Sequence, residues 1–187
     1  MLISPLMAKK KKEIKKMPIR ILIGIILSIF VGIFTSIIGI NNFKNYFHPY
    51  LFGFVFGAIG LILGIMVALK LKPVVAVNQK LKNNYYLFIM YISICFFGIS
   101  LMVGSKINRE FSNVENCDNY IVFSKYRQEY HRGSPEINSL VLNINGESHR
   151  IVCSYDYWCR IGIGQSIHLC LYKSKLGFDY VEIINDK

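Results

Sequence analysis

The segment Tyr155-Asp156-Tyr157-Trp158-Cys159-Arg160 places three aromatics, a carboxylate and a guanidinium in six consecutive positions. Trp, Tyr and Arg dominate the hot spots of protein interfaces. Tyr155, Tyr157, Trp158 and Arg160 are therefore the candidate contact residues for a protein, peptide or glycan partner. A purely structural use is equally open: Trp158 could plug the end of a small β-barrel beside a disulfide, or rest at a membrane interface. Tyr126, Tyr130 and His131 form a second aromatic and polar cluster near an expected turn.

Bond-making chemistry has thinner support. There is no Gly-x-Ser-x-Gly elbow. Gly162-Ile163-Gly164-Gln165-Ser166 lacks the Lys-Ser/Thr of a phosphate loop and the third glycine of a dinucleotide turn, and it leads into an expected strand. Its glycines suit a bulge or barrel corner. His131, His149 and His168 fall on separate elements, and Cys153 and Cys159 are too far apart for the short ligand spacing of structural zinc. Glu129, Glu136, Glu147, Asp156, Asp179 and Glu182 are scattered over turns and polar faces. The expectation is a non-enzymatic chain with no catalytic residues, no metal and no cofactor.

Four of the five cysteines, Cys117, Cys153, Cys159 and Cys170, lie in the C-terminal half. An even count outside the cytoplasm favours disulfides, and four cysteines allow three connectivities. Cys117–Cys159 is the expected bridge, because both residues fall outside the expected strands. Cys153–Cys170 is the second candidate, although strand alternation sets Cys153 inward with Ile151 and Cys170 outward with His168. Cys95, in an apolar run, reads as packing.

These residues need a scaffold, and the pattern after Asn108 supplies one. Period-two stretches predict strands over Asn119–Arg127, Ile137–Asn145, Glu147–Ser154, Gln165–Lys173 and Phe178–Ile184. Asn145-Gly146 between two of them is a strong two-residue hairpin signal, since both positions need positive φ. Ser174–Gly177 marks a second hairpin and His131–Pro135 a longer turn. Leu140, Leu142 and Ile144 share one face, as do Ile167, Leu169 and Leu171; Asn143, His168 and Tyr172 take the opposite faces. Five short half-buried strands imply an all-β antiparallel barrel or sandwich over residues 105–187.

The other half is a different material. Of 187 residues, 53% are hydrophobic and 18% charged, where soluble domains carry about 25% charge. The net charge of +11 resides entirely in residues 1–104, which hold 12 basic and 1 acidic side chain; residues 105–187 hold 10 of each. Three apolar runs, Ile21–Ile40, Tyr50–Leu69 and Tyr85–Gly104, contain no ionisable side chain other than tyrosine and cysteine. Twenty helical residues cover about 30 Å, the thickness of a bilayer's hydrocarbon core. The reading is a membrane α-helical protein with three transmembrane helices over residues 21–104. The first run is expected to be a retained helix and not a cleaved signal, because Asn41, Asn42 and Phe43 follow it where small cleavage-site residues belong.

Seven basic residues before the first run, one Lys between the first and second, and four between the second and third set the orientation. Residues 1–20 are then a basic cytoplasmic N-terminus. The β-domain lies outside, periplasmic or extracellular, on a cell (inner) membrane. The lack of an Asn-x-Ser/Thr sequon there suits a bacterial source. The lysines flank apolar runs without interleaved aromatics, so the expected partner is the lipid bilayer and not nucleic acid.

Small residues recur at helical spacing within the spans. Gly24, Ser28, Gly32 and Ser36 form a ridge on the first; Gly53, Gly57, Gly60, Gly64 and Ala68 form one on the second. Such ridges let helices approach closely in lipid. They predict an antiparallel pairing of the first two spans, or homo-oligomer contacts, with the third span peripheral. The intramembrane charges that mark pumps and coupled transporters do not occur. The expected function is presentation of the β-domain to a protein partner, as an accessory subunit or an immunity-type protein. The competing expectation is a subunit of an oligomeric channel or transport complex.

Overall fold

The computed structural model of the chain describes residues 19–76, 82–131 and 136–184. The lysine-rich leader before Pro18, Lys80 and Arg132–Pro135 of the expected long turn lie outside the described residues. Three helices come first: α1 (Ile19–Asn42), α2 (Pro49–Val75) and α3 (Tyr85–Glu110). Pro49 opens α2, where its missing N–H and fixed φ suit a first turn. Both α2 and α3 run past their apolar stretches, α2 through Lys70 and Lys72 and α3 through Lys106 and Arg109. Lys and Arg are good helix formers, so the hydrogen-bond ladder does not stop where hydropathy falls. α2 and α3 are each long and apolar enough to cross a membrane; the apolar stretch of α1 in the described residues, Ile26–Asn42, is shorter.

The helix packing corrects the sequence expectation. α3 is central, packed against α1 on one face and α2 on the other, and α1 and α2 are not the principal pair. A Cβ at Gly60 would lie 2.6 Å from the Phe96 carbonyl oxygen, and one at Gly64 2.5 Å from Ser93 Cα. One at Gly57 would strike the Phe97 ring, and one at Gly32 would lie 2.6 Å from Cys95 Cα. Gly98 meets the Gly32 carbonyl oxygen and Ser36 Oγ in the same way. Cys95 Sγ donates to the Ser28 carbonyl at 3.0 Å, and Ser100 Oγ to that of Phe56 at 2.7 Å. Gly24 has open space around it, and Gly53 touches only the Phe43 ring. The inner parts of both ridges, Gly32 and Ser36 on α1 and Gly57, Gly60 and Gly64 on α2, thus serve α3. Its own small residues divide between two faces, with Ser93, Ser100 and Gly104 toward α2 and Cys95, Gly98 and Ser105 toward α1.

α3 passes almost directly into a five-stranded antiparallel sheet that curls into a half-barrel, of order β3-β2-β1-β4-β5. The strands are β1 (Ser112–Gln128), β2 (Ile137–Ile144), β3 (Glu147–Cys153), β4 (Ser166–Ser174) and β5 (Tyr180–Ile183). β1 organises the sheet. Its first half pairs with β4, from Ser112↔Ser174 to Ile121↔Ser166, and its second with β2, from Val122↔Leu142 to Gln128↔Ile137. A register shift at Val122/Ser124 falls where β1 changes partner, and a second at Val114/Asn116 lies near the start of the strand. Leu140, Leu142, Ile144, Ile151, Ile167 and Leu169 fill the concave core as their alternation predicts. Asn145 (φ 54°) and Gly146 (φ 89°) form the expected β2–β3 turn.

The expected disulfide pairing is wrong. Cys117 is inside β1, directly opposite Cys170 of β4, with Cα atoms 4.1 Å apart, and these two are bridged. Cys153 and Cys159 are not in bridges. The period-two pattern starts only at Asn119, whereas β1 begins at Ser112, five residues before Cys117.

The half-barrel's open side is met by the α1–α2 connection. Val181 N of β5 donates to the Asn45 carbonyl at 3.0 Å. The Asn45 side chain donates to the Val152 carbonyl of β3 at 3.0 Å and accepts from Val152 N at 2.8 Å. One asparagine therefore links the two edge strands. Beside it, Tyr46 bridges to Tyr180, and Phe47 N donates to the Asp179 carbonyl at 3.0 Å. Asn108 of α3 is fully buried: its Nδ2 donates to the Phe178 carbonyl at 2.8 Å, and its Oδ1 accepts from Ser174 Oγ at 2.7 Å. Arg109 pairs with Glu182 at 2.9 Å. Tyr180 stacks between Tyr46 and Tyr172, and Phe178 packs on Phe52 and Phe56 of α2. Such satisfied polar contacts and packed rings fix the sheet's attitude to the helices.

Candidate functional site

The Tyr155–Arg160 segment is not a loop but a six-residue helix, α4, packed against the core of the half-barrel. Ser154 caps it in an extended conformation, its Oγ accepting from Tyr157 N at 3.3 Å. Asp156 in the first turn and Arg160 in the last both suit the helix dipole. Tyr157 is buried in the sheet core, and Trp158 is half-buried against it. Trp158 Nε1 is buried with no hydrogen-bond partner. Only Tyr155 and Arg160 of the four expected contact residues are exposed.

The structure adds basic residues that the sequence reading did not select. Lys125 on β1 faces inward opposite Leu140. Its Nζ lies 4.1 Å from the centre of the Trp158 ring and donates to the carbonyls of Trp158 and, at 2.5 Å, Ile161. It therefore holds the C-terminal end of α4. Arg127, two residues on, lies 4.8 Å from the Tyr155 ring and pairs with Glu136 at 3.2 Å. On the opposite face, Arg150 covers Tyr126 at 3.8 Å, its Nε donating to Ser139 Oγ at 2.7 Å. Tyr126, Tyr130 and Tyr155 are all substantially exposed. The alternation Lys125, Tyr126, Arg127 in a strand was the available signal, because it sends cations to one face and an aromatic to the other.

The expected structural role beside a disulfide applies in part. Trp158 does pack against the core of the half-barrel, but the Cys117–Cys170 bridge ties the helix-proximal half of β1 to β4. Cys159 is exposed, and the Tyr155 phenol is held above its ordinary pKa first by a hydrogen bond with that thiol. His149 lies edge-on to the Phe47 ring at 4.6 Å and 3.6 Å from Glu147; His168 contacts Asn119 at 3.1 Å. Among the described residues, no group of three His, Cys, Asp or Glu side chains could hold a metal ion. A cavity of about 310 Å³ opens between the α1–α2 connection and the sheet, lined by Phe47, His48, Glu115, Glu147, His149 and Asp179 among others. The surface around α4 thus offers paired aromatic and guanidinium groups suited to non-covalent recognition. No known protein family, curated protein or solved structure matches the chain.

Proposed function

We propose that the chain is a non-enzymatic multi-pass membrane protein that holds a small β-domain outside the cytoplasm and binds a protein partner through the surface around α4. Three helices span the bilayer in this reading, α1 included. Phe30 and Phe34 on α1 are 68% and 66% exposed and Phe54 on α2 is 74% exposed, an arrangement that lipid accommodates and water does not. The lysine distribution orients the N-terminus to the cytoplasm. The observation carrying the binding role is the exposure of Tyr155, Arg127 and Arg160 on one face around α4, on a sheet that is bonded to the helices. A fixed attitude reduces the orientational freedom lost when a membrane-bound partner docks. Gly32, Gly57, Gly60 and Gly64 pack against α3, so a channel subunit, the alternative reading, would draw its contacts between copies from other faces.

The test is affinity purification from membranes in mild detergent, comparing the parent with Tyr155→Ala/Arg160→Ala. These side chains are exposed, so the variant is expected to express normally and lose the co-purifying partner. Equal recovery of that partner would reject this surface. A tag after Lys187 that is reached only from the cytosol would reject the orientation.

A further inference from the structure

We propose that the β4–β5 hairpin turn, together with Phe111, is a foot that rests in the outer headgroup layer of the bilayer, with Leu176 against lipid and Lys106 and Lys175 toward lipid phosphates. The inference rests on the membrane-spanning reading given above. Its basis is the level at which the hairpin meets the helices. Phe178, just past the turn, packs on Phe52 and Phe56, three and seven residues into α2 from Pro49. At a rise of about 1.5 Å per residue, the second lies about 10 Å below the helix start. Gly104, the last residue of the charge-free run on α3, abuts the Phe56 ring. Asn108, one turn beyond, bonds to both Ser174 and Phe178, and Lys175 N donates to the Phe111 carbonyl at 3.1 Å. The turn is therefore beside the last helical turn of α3, where apolar residues give way to Lys106 and Arg109.

The surface at this level is the kind a headgroup layer accepts. Leu176 is 44% exposed and Phe111 53%, and Tyr50 at the start of α2 is 92% exposed. Lys106 and Lys175 are exposed around them; Lys173 is shared with Glu115 at 3.6 Å. Apolar side chains flanked by lysines are what the boundary between acyl chains and phosphates favours. Continuity with the end of a spanning helix commits the patch to lipid and not to a soluble protein.

The test uses the full chain in vesicles of phosphatidylcholine with bromine on the acyl chains close to the headgroup. Leu176→Trp and Phe54→Trp are made separately, Trp158 giving a common background to subtract. Both substitutions are at exposed positions. The expected result is that both added tryptophans lose most of their emission to bromine. Quenching of Phe54→Trp without Leu176→Trp would overturn the foot while leaving the spanning reading intact. Quenching of neither would overturn both. Quenching of Leu176→Trp alone would also overturn the proposal, since the turn would touch lipid without the helix that sets its depth.

Discussion

The two halves of β1 are held by different means. The helix-proximal half is bound covalently to β4 through Cys117–Cys170 and leads out of α3, whose Asn108 is wholly buried and bonded to the β4–β5 hairpin. The distal half carries Lys125, Tyr126 and Arg127, whose contacts are mainly side-chain pairs with α4, Arg150 and Glu136. Contacts of the first kind tolerate little rearrangement, because a buried polar group that loses its partner costs the full desolvation. Contacts of the second kind can exchange one partner for another at small cost. Rigidity is concentrated where the sheet joins the helices, and adaptability where the aromatic rings are displayed.

The largest effect is expected from the covalent link. Cys117→Ser/Cys170→Ser should lower stability by about 2–4 kcal/mol, read from denaturant unfolding followed by Trp158 fluorescence in detergent. An unchanged midpoint would mean that strand pairing alone holds the proximal half. Asn108→Leu comes next. It strands the Phe178 carbonyl and removes one partner of the Ser174 hydroxyl, which keeps the Asn108 carbonyl and Leu176 N, at about 1–3 kcal/mol. Limited proteolysis should then release the sheet from the helices sooner; a parental cleavage rate would remove the distinction between the halves. Lys125→Met should cost about 1 kcal/mol, through the lost bonds to α4 carbonyls and the lost ring contact. It should also shift Trp158 emission toward that of exposed indole, and a parental spectrum would show that α4 stays down without the cation.

The smallest effect is on pH. Burial lowers the His149 pKa below 6.5, partly opposed by Glu147 and reinforced by His48. The folded chain therefore prefers the neutral ring. That contribution is complete above about pH 6.5, and it is lost as pH falls through the lowered folded value, because the unfolded chain takes up the proton first. His149→Gln should flatten the stability profile in that window. An identical slope in parent and variant would assign the acid sensitivity to other groups.

The legible parts of the fold were those with one buried face. Leu140, Leu142 and Ile144 announced β2, Ile167, Leu169 and Leu171 announced β4, and Asn145-Gly146 announced the turn between β2 and β3. Ser112–Asp118 was hidden because it is exposed or only half-buried and shows no alternation, and the disulfide partner was hidden with it. The central position of α3 was missed because its small residues serve two neighbours and so form no single stripe. α4 was found as a cluster of residue types but not as a helix, since six residues are too few for a period to register. Asn45 gave no signal at all: an isolated asparagine in a short connection does not reveal that two distant strands will claim its side chain and backbone.

That asparagine has a consequence for how the molecule comes together. The segment supplying Asn45 is made before any strand of the sheet, whereas β5, which it joins to β3, follows the other four strands. Completion of the sheet therefore waits on the α1–α2 connection already being in position. A fragment beginning at Ser105 would lack this clasp, leaving two raw edges that invite pairing with other copies. Its expected fate is self-association, a quality check imposed by chain order alone.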